Sequence, residues 1–245
     1  MVMSLIEFIH IEKQFKQQQV IKGVDLLLQE KDFFALLGKS GAGKTTLLRL
    51  LIGFYPLDSG RILYQHRDVT NNPQVIRKVV GFCTQDNSFY PDLTVEENLR
   101  YYGQLYSIPR MVLTPRIVAL LEHVSLLDHK KKMSKSLSGG MKRRLDLAIA
   151  LIHDPAFLIL DEPTTGLDPV VQTAIWDLIS SINRRGKTIL VSTHHLEYLE
   201  TRCNKVGILH EGYMLAVGSP RELMHQYHVK TLNGMFEAVV RGVER

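Results

Sequence analysis

Hydrophobic positions at the start of the chain alternate with polar ones, which is the pattern of half-buried strands. The alternation runs from Leu5 to Ile11 and again from Val24 to Leu28, and three glutamines at 17–19 separate the two stretches. Strands joined by a short polar turn pair side by side in opposite directions. The sequence therefore predicts an antiparallel β element at its N-terminus.

The next segments switch between strand-like runs and helical spacing. Phe33–Leu37 is an unbroken apolar run, and residues 44–53 then carry apolar side chains at helical spacing. The same alternation returns later, with strand-like runs at 157–160, 188–192 and 206–209 and helical patterns at 169–184 and 196–201. Strands that alternate with helices predict a mainly parallel α/β sheet.

One region in the middle of the chain has helical spacing only. Its three stretches follow polar starts and cover 94–107, 116–127 and 138–153. We therefore predict a single α/β domain, 1–245, whose core of about 1–85 and 154–219 is interrupted by a helical subdomain at about 86–153. From Pro220 onward two short helices are expected, which makes 220–245 a helical tail.

Composition and charge narrow the class of protein without deciding its chemistry. Hydrophobic residues make up 45% of the chain and charged residues 22%, as in ordinary folded domains. The net charge of +5 is compatible with an anionic ligand or surface. We find neither a membrane-spanning apolar stretch nor a signal-peptide pattern. The only cysteines, Cys83 and Cys203, favour a reducing cytoplasm over a disulfide framework.

A glycine-rich segment lies between the strand-like run at 33–37 and the next helical pattern. Its residues are Gly38, Lys39, Ser40, Gly41, Ala42, Gly43, Lys44, Thr45 and Thr46. They fit the phosphate-loop pattern G-x-x-x-x-G-K-[ST], in which glycines let backbone N–H groups approach phosphate oxygens. We expect Lys44 to reach the β and γ phosphates of a nucleotide and the Thr45 hydroxyl to bind Mg²⁺. A glycine-rich turn that only starts a helix is the alternative.

Two carboxylates, Asp161 and Glu162, follow the strand-like run at 157–160. They lie at the carboxyl edge of the predicted sheet, where ligands bind. Asp161 suits the ligand shell of Mg²⁺, and Glu162 can point at a water molecule in line with the γ phosphate. This division predicts hydrolysis rather than binding alone. The alternative is an acidic pair that caps the turn at Pro163.

A second glycine-containing segment precedes the carboxylates, and its residues are Ser138, Gly139 and Gly140. Ser138 is a good N-cap, and exposed N–H groups before the basic residues 142–144 predict a second anion site. A capped helix without a ligand explains the same residues. Together with Leu137 and Met141, however, the segment resembles the signature motif of the ATP-binding cassette (ABC) ATPases, a family with the P-loop NTPase fold.

The resemblance to ABC ATPases covers nearly the whole chain and implies how ATP is bound. In that family the signature segment of one monomer completes the ATP site of another, which implies a homodimer with two ATP molecules between its chains. Ser138, Gly140 and Asp168 would then belong to the dimer interface. From the residues alone, Asp168 is also a helix cap.

The resemblance implies three further roles at the ATP site. Gln85 matches the glutamine that contacts Mg²⁺ and the attacking water, and His194 matches the histidine that contacts the γ phosphate and orients Glu162. The catalytic residues would then be Glu162, His194 and Gln85. Phe15 stands where the family has an aromatic residue that stacks on adenine, although a lone Phe in a strand is otherwise usually core.

Residues 137–145 and 164–169 resemble the ABC branch that pairs with separate permeases for export. This resemblance implies an ATPase subunit on the cytoplasmic face of a membrane, with ATP and Mg²⁺ as cofactors and no nucleic acid partner. The segment 85–99 would form a groove for the permease, and its candidate contacts on the surface are Phe89, Tyr90 and Leu93. As single apolar residues, these three are equally expected to pack inside the fold. Met141 departs from the commoner glutamine of the signature.

Two other functions stay open from the sequence. A soluble ABC ATPase that acts on nucleic acid or ribosomes is compatible with the positive charge, but repair types carry long coiled-coil insertions and translation types usually carry two cassettes. A nucleotide-binding regulatory module without turnover is disfavoured by Glu162.

Overall fold

The structure is a computed structural model, and it describes residues 4–243. The strands of this part are β1 Ser4–Phe15, β2 Gln18–Gln29, β3 Phe33–Leu37, β4 Ser59–Tyr64, β5 Arg67–Asp68, β6 Val80–Cys83, β7 Phe157–Asp161, β8 Thr188–Thr193, β9 Lys205–His210 and β10 Tyr213–Gly218. The α-helices are α1 Lys44–Leu51, α2 Gln74–Val79, α3 Val95–Leu105, α4 Arg110–His123, α5 Gly139–Leu151, α6 Pro169–Arg184, α7 Pro220–Gln226 and α8 Leu232–Val243.

The larger sheet has the strand order β10-β9-β3-β8-β7-β6, and all its pairs except β10 with β9 are parallel. The central strand β3 is buried along its whole length. Its residues alternate between two hydrophobic clusters, with Phe33, Ala35 and Leu37 in one and Phe34 and Leu36 in the other. A sheet buried on both faces is the usual setting of parallel strands, and the predicted α/β fold class is confirmed.

The smaller sheet has the order β2-β1-β4-β5, and its strands are antiparallel. It confirms the predicted N-terminal β element, although the turn comes earlier than the glutamines suggested. Gln18 already pairs with Phe15, and Lys16 takes the positive φ of 54° that the turn needs. Strands β4 and β5 were not predicted.

Three helices, α3, α4 and α5, occupy the middle of the chain as the spacing predicted. Helix α3 begins at a capping box, in which Thr94 accepts a hydrogen bond from the Glu97 amide and Glu97 accepts one from the Thr94 amide. The expected start of α4 at residue 116 is wrong, because the helix begins at Arg110. Its first turns add Leu113 to a buried face that continues through Ile117 and Leu121.

The predicted helix at 196–201 is also wrong, because these residues form turns. The amide of Leu199 donates to the carbonyl of Leu196, and the amide of Arg202 donates to that of Leu199, which are both i to i+3 bonds. These turns bury Leu196 and Leu199, so tertiary packing overrides the helical spacing of the sequence here. The two short helices expected after Pro220 are present as α7 and α8.

None of the helices within residues 4–243 has the length and apolar character that crossing a membrane requires.

Candidate functional site

The phosphate-loop residues connect β3 to α1 at the carboxyl edge of the parallel strands. Gly43, the N-cap of α1, has a φ of 106°, which residues with a Cβ rarely adopt. A Cβ at this position would also lie 2.8 Å from Cδ1 of Ile21 and 3.1 Å from the carbonyl oxygen of Val20. Both the turn and its packing against β2 therefore require glycine here.

An open cavity of ≈ 420 Å³ lies at this turn. Its lining residues are Val20, Ser40, Gly41, Ala42, Gly43, Lys44, Thr45, Thr46, Gln85, Glu162, Thr165 and His194. The structure thus brings most of the predicted phosphate-loop ligands to one place together with Gln85, Glu162 and His194. Among residues 4–243, Gly38, Lys39 and Asp161 are predicted ligands that do not line this cavity.

Lys44 is buried at the floor of the cavity, with 7% of its surface exposed. Its Nζ atom donates to the carbonyl oxygens of Gly38 at 2.7 Å and Lys39 at 3.3 Å. The same atom lies 3.3 Å from Oε1 of Glu162. A buried ammonium needs such compensation, and these contacts fix its position beside the phosphate loop.

Glu162 is held between α1 and the end of β8. Its Oε2 atom lies 2.9 Å from Nδ1 of His194 and accepts a hydrogen bond from the Thr165 hydroxyl at 3.3 Å. The Glu162 backbone has a φ of 49°, a conformation that costs a residue with a Cβ on the order of 1–3 kcal/mol. Hydrogen bonds from its amide to the carbonyl and the hydroxyl oxygen of Ser192 offset this cost.

Ser192 also contacts the other carboxylate. Asp161, the last residue of β7, is 3% exposed, and its Oδ1 accepts a hydrogen bond from the Ser192 hydroxyl at 2.5 Å. Sequence reasoning missed both Ser192 and Thr165. Ser192 lies opposite Asp161 in the parallel pairing of β7 with β8. The sequence alone does not give this register, so the contact could not be predicted.

The signature segment lies elsewhere. Ser138 is the exposed N-cap of α5 and accepts a hydrogen bond from the Met141 amide at 3.4 Å, and Asp168 caps α6 by accepting one from the Val171 amide at 3.0 Å. A Cβ at Gly140 would lie 2.6 Å from Cγ1 of Val171, so the two capped turns are neighbours. Within the described part of the chain, neither cap lines the phosphate-loop cavity.

The expected anion site on α5 needs a correction. Arg143 is buried and donates to the carbonyl oxygens of Thr84 and Gln85, and Arg144 donates to that of Val124. Both guanidinium groups face the interior of the helical region because backbone carbonyls bind them there. Any anion contact at this helix start therefore depends on its backbone N–H groups, on Ser138 and on the half-buried Lys142.

The aromatic predictions have mixed outcomes. Phe15 is half-buried, with its ring edge-on to Tyr55 at a centroid distance of 4.9 Å, and it does not line the cavity described above. Its adenine role stays a prediction. Phe89 was expected on the surface and is instead 7% exposed in the core, whereas Tyr90 is 46% exposed and packs edge-on against Tyr101.

The model of the ABC transporter family matches residues 21–165. That span is more than half of the chain and contains the phosphate loop, the signature segment and both carboxylates. The chain belongs to the ABC transporter ATP-binding family. Members of this family bind and hydrolyse ATP, so this ABC ATPase is an ATP-binding subunit with ATPase activity.

Named relatives and a solved structure agree with this family. The ABC ATPase is 38% identical to the Nod factor export ATP-binding protein I of Burkholderia lata, over 91% of this chain and 74% of the relative. It is 34% identical to the linearmycin resistance ATP-binding protein LnrL of Bacillus subtilis, over 87% and 69%. The structure of cbiO1 from Clostridium perfringens, described as part of an ABC transporter complex, matches with a TM-score of 0.84 at 25% identity, over 98% and 94%.

Proposed function

We propose that this ABC ATPase powers export through a separate membrane permease, and that two copies close over two ATP molecules to do so. The observation that carries the proposal is the position of the two glycine-containing turns. Ser138 lies at an exposed helix start outside the cavity that Lys44 and Glu162 line. A second copy can bring its own Ser138 to that cavity, which makes a closed pair of chains the natural complete site.

The export direction rests on the relatives. One is named for Nod factor export and another for linearmycin resistance, and both share more than 30% of their matched residues with this chain. We place the permease contact at the exposed ring of Tyr90 and its neighbour Tyr101, within the helical segment 86–153 that acts as a subdomain. The ATPase would then work at the cytoplasmic face of the membrane, where ATP is available.

The chemistry of the site follows from its contacts. The Glu162 carboxylate is within reach of the cavity and can accept the proton of a water molecule whose oxygen attacks the γ phosphorus of ATP. His194 orients that carboxylate through its Nδ1 contact. As the bond from the γ phosphorus to the β-phosphate oxygen breaks, the Lys44 ammonium stabilises the charge that develops on the phosphates.

Oxygen donors suitable for Mg²⁺ are present at the same place. Thr45 and Gln85 line the cavity and carry a hydroxyl and a side-chain amide oxygen, whereas Asp161, which precedes Glu162 in the chain, does not line it. Such hard oxygen ligands fit Mg²⁺, which in ATP sites is held by a few protein groups and the phosphates. When bound, the ion would neutralise phosphate charge during transfer.

A Glu162→Gln variant tests the closed dimer. The amide cannot accept the water proton, so we expect hydrolysis to fall about a hundredfold or more. ATP binding is retained, so dimers should accumulate in ATP and dissociate in ADP when particle mass is followed by light scattering. A variant that hydrolyses ATP at the wild-type rate, or that stays monomeric in saturating ATP, would contradict the proposal.

Co-purification tests the partner. The full chain, tagged and isolated from gently solubilised membranes, should bring down a membrane-spanning protein, and Tyr90→Ala should weaken that association without lowering ATP binding. Recovery with ribosomes or DNA-associated proteins alone would favour the nucleic-acid alternative.

A further inference from the structure

Two buried charged residues on α5 have no role in the chemistry above. Arg143 is 6% exposed and Asp146 is 1% exposed. They are three residues apart and so share one face of the helix. The distance from Nη1 of Arg143 to Oδ2 of Asp146 is 4.0 Å, too long for a hydrogen bond. Each of them makes shorter contacts with another part of the chain.

That part is the glutamine loop, which we define as residues 84–88. Arg143 donates through Nη1 to the carbonyl oxygen of Thr84 at 2.7 Å and through Nη2 to that of Gln85 at 2.9 Å. The rigid fork of a guanidinium group can span two consecutive carbonyls, which a lysine ammonium cannot do in the same way. Arg143 therefore fixes the backbone from which the Gln85 side chain enters the cavity.

Asp146 holds the other end of the same loop. Its Oδ1 accepts a hydrogen bond from the Ser88 amide at 2.8 Å, and the Tyr102 hydroxyl of α3 donates to the Ser88 carbonyl. Its Oδ2 is buried without a hydrogen-bond partner among the described residues, and burial raises the pKa of this carboxyl to about 6. A buried carboxylate that is only half satisfied destabilises a fold, so its presence here calls for a reason beyond packing.

The same helix begins at the signature segment. Ser138 caps α5, and Arg143 and Asp146 lie in the turns that follow. Helix α5 is a continuous segment from Gly139 to Leu151, so a displacement of its N-terminus also displaces the groups that hold the glutamine loop. The phosphate-loop cavity and the signature segment are thereby connected through hydrogen bonds within one chain.

We propose that Arg143 and Asp146 are positioning residues that hold Gln85 in a fixed relation to Ser138, so that dimer closure at the signature segment sets Gln85 for hydrolysis. This inference rests on the proposed function, in which Ser138 meets the ATP of the partner copy and Gln85 serves the ATP of its own chain. Arg143 and Asp146 themselves touch neither nucleotide nor water in this proposal.

The test compares a double substitution with a matched control on the same helix. R143M/D146L removes both charges together with the acceptor of the Ser88 amide, and it leaves no unpaired buried charge. The control is R144M, which deletes a neighbouring guanidinium that donates to the Val124 carbonyl at 3.0 Å, away from the glutamine loop. R143K serves as a second variant, because it keeps the charge but not the two-carbonyl fork.

Hydrogen exchange measured on the full chain reports the contacts without turnover. We expect the Ser88 amide, which donates to Asp146 in the wild type, to exchange about tenfold faster in R143M/D146L than in the wild type, and at the wild-type rate in R144M. R143K should lie between them. Equal exchange in R143M/D146L and R144M would overturn the proposal.

Kinetics then test the consequence. In R143M/D146L we expect ATP affinity within about twofold of the wild type and kcat lowered about tenfold, because Gln85 acts in the transition state rather than in binding. In a Gln85→Ala background the double substitution should lower kcat no further, since coupled residues are not additive. Losses that multiply would overturn the positioning role.

Failure of the positioning proposal and failure of the proposed function give different results. Faster loop exchange with an unchanged kcat would overturn the link from these contacts to hydrolysis while leaving the ATPase assignment intact. A wild-type chain that never dimerises in ATP would instead reject the proposed function, whatever the exchange rates are.

Discussion

The phosphate loop and the signature segment both place glycines at the start of a helix, yet their surroundings differ. At the phosphate loop, Gly43 is confined by β2 and Lys44 is buried among carbonyls and a carboxylate of its own chain. At the signature segment, Ser138 and Gly139 are exposed, and the nearest neighbours of the glycines are side chains of the segment around Leu167 and Val171.

The difference shows what each turn can do alone. The phosphate loop has the shape, the cation and the carboxylate of a nucleotide site within one chain. The signature segment offers exposed N–H groups at a helix start, which attract an anion, and among residues 4–243 it does not line the phosphate-loop cavity. One turn therefore forms a cavity with residues of its own chain, whereas the other turn is an exposed surface.

The strongest prediction uses a charge to distinguish the signature segment from the phosphate loop. In the proposed dimer, Ser138→Glu would place a carboxylate against the partner's ATP, and like charges at an interface cost several kcal/mol. We expect turnover to fall about a hundredfold while ATP binding to the monomer stays within about twofold. A helix N-terminus tolerates the acidic residue, so the fold is retained. Ser136→Glu, at a nearby exposed position, is the control and should keep activity.

The next effect concerns the phosphate loop alone. Lys44→Ala removes a charge-assisted contact with the phosphates, so ATP affinity should fall about thirtyfold in a calorimetric titration. Lys187→Ala, which breaks an ion pair with Asp154, is the control and should bind ATP normally. Unchanged affinity in the Lys44 variant would remove the phosphate loop from the ATP site.

A pair of glycine substitutions tests the role of each turn in the fold. Gly43→Ala forces a Cβ into the positive-φ turn and against Ile21, so the free energy of unfolding should fall by about 2–3 kcal/mol. At Gly139 a Cβ would lie 3.2 Å from the mobile end of Leu167. Gly139→Ala should therefore leave the free energy of unfolding in denaturant nearly unchanged. Equal losses of stability in the two variants would contradict the view that only the phosphate-loop glycine is required by the fold.

The smallest effect is a pH dependence of the free energy of unfolding, which arises from Asp146 on the helix that follows the signature segment. Burial raises the pKa of Asp146 in the fold to about 6, above its value in the unfolded chain. The folded state therefore binds this proton more tightly, and stability from this group is lost as the pH rises through 6. Asp146→Asn should be more stable than the wild type above pH 6, by on the order of 1–2 kcal/mol. In urea unfolding, the difference in free energy between Asp146→Asn and the wild type should vanish near pH 4. A difference that stays constant with pH would refute the role of Asp146 ionisation.

The local parts of the candidate site can be predicted from the sequence alone. Gly43 and Lys44 follow an apolar run and open a helix, and Ser138 caps another helix, because turn geometry and capping depend on neighbours within a few residues. The alternation of strand and helix patterns also predicted the α/β class, because a strand that is buried on both faces has a continuous run of hydrophobic residues.

How those parts meet depends on strand pairing and packing between distant segments of the chain. Ser192 reaches both Asp161 and Glu162 through the register of two parallel strands, and Arg143 reaches the carbonyl of Gln85 from a helix far along the chain. Residues 196–201 were predicted as a helix but form turns, and Phe89 was a candidate surface contact but is buried. These outcomes depend on partners that no local pattern encodes, because long-range packing and pairing bring them together.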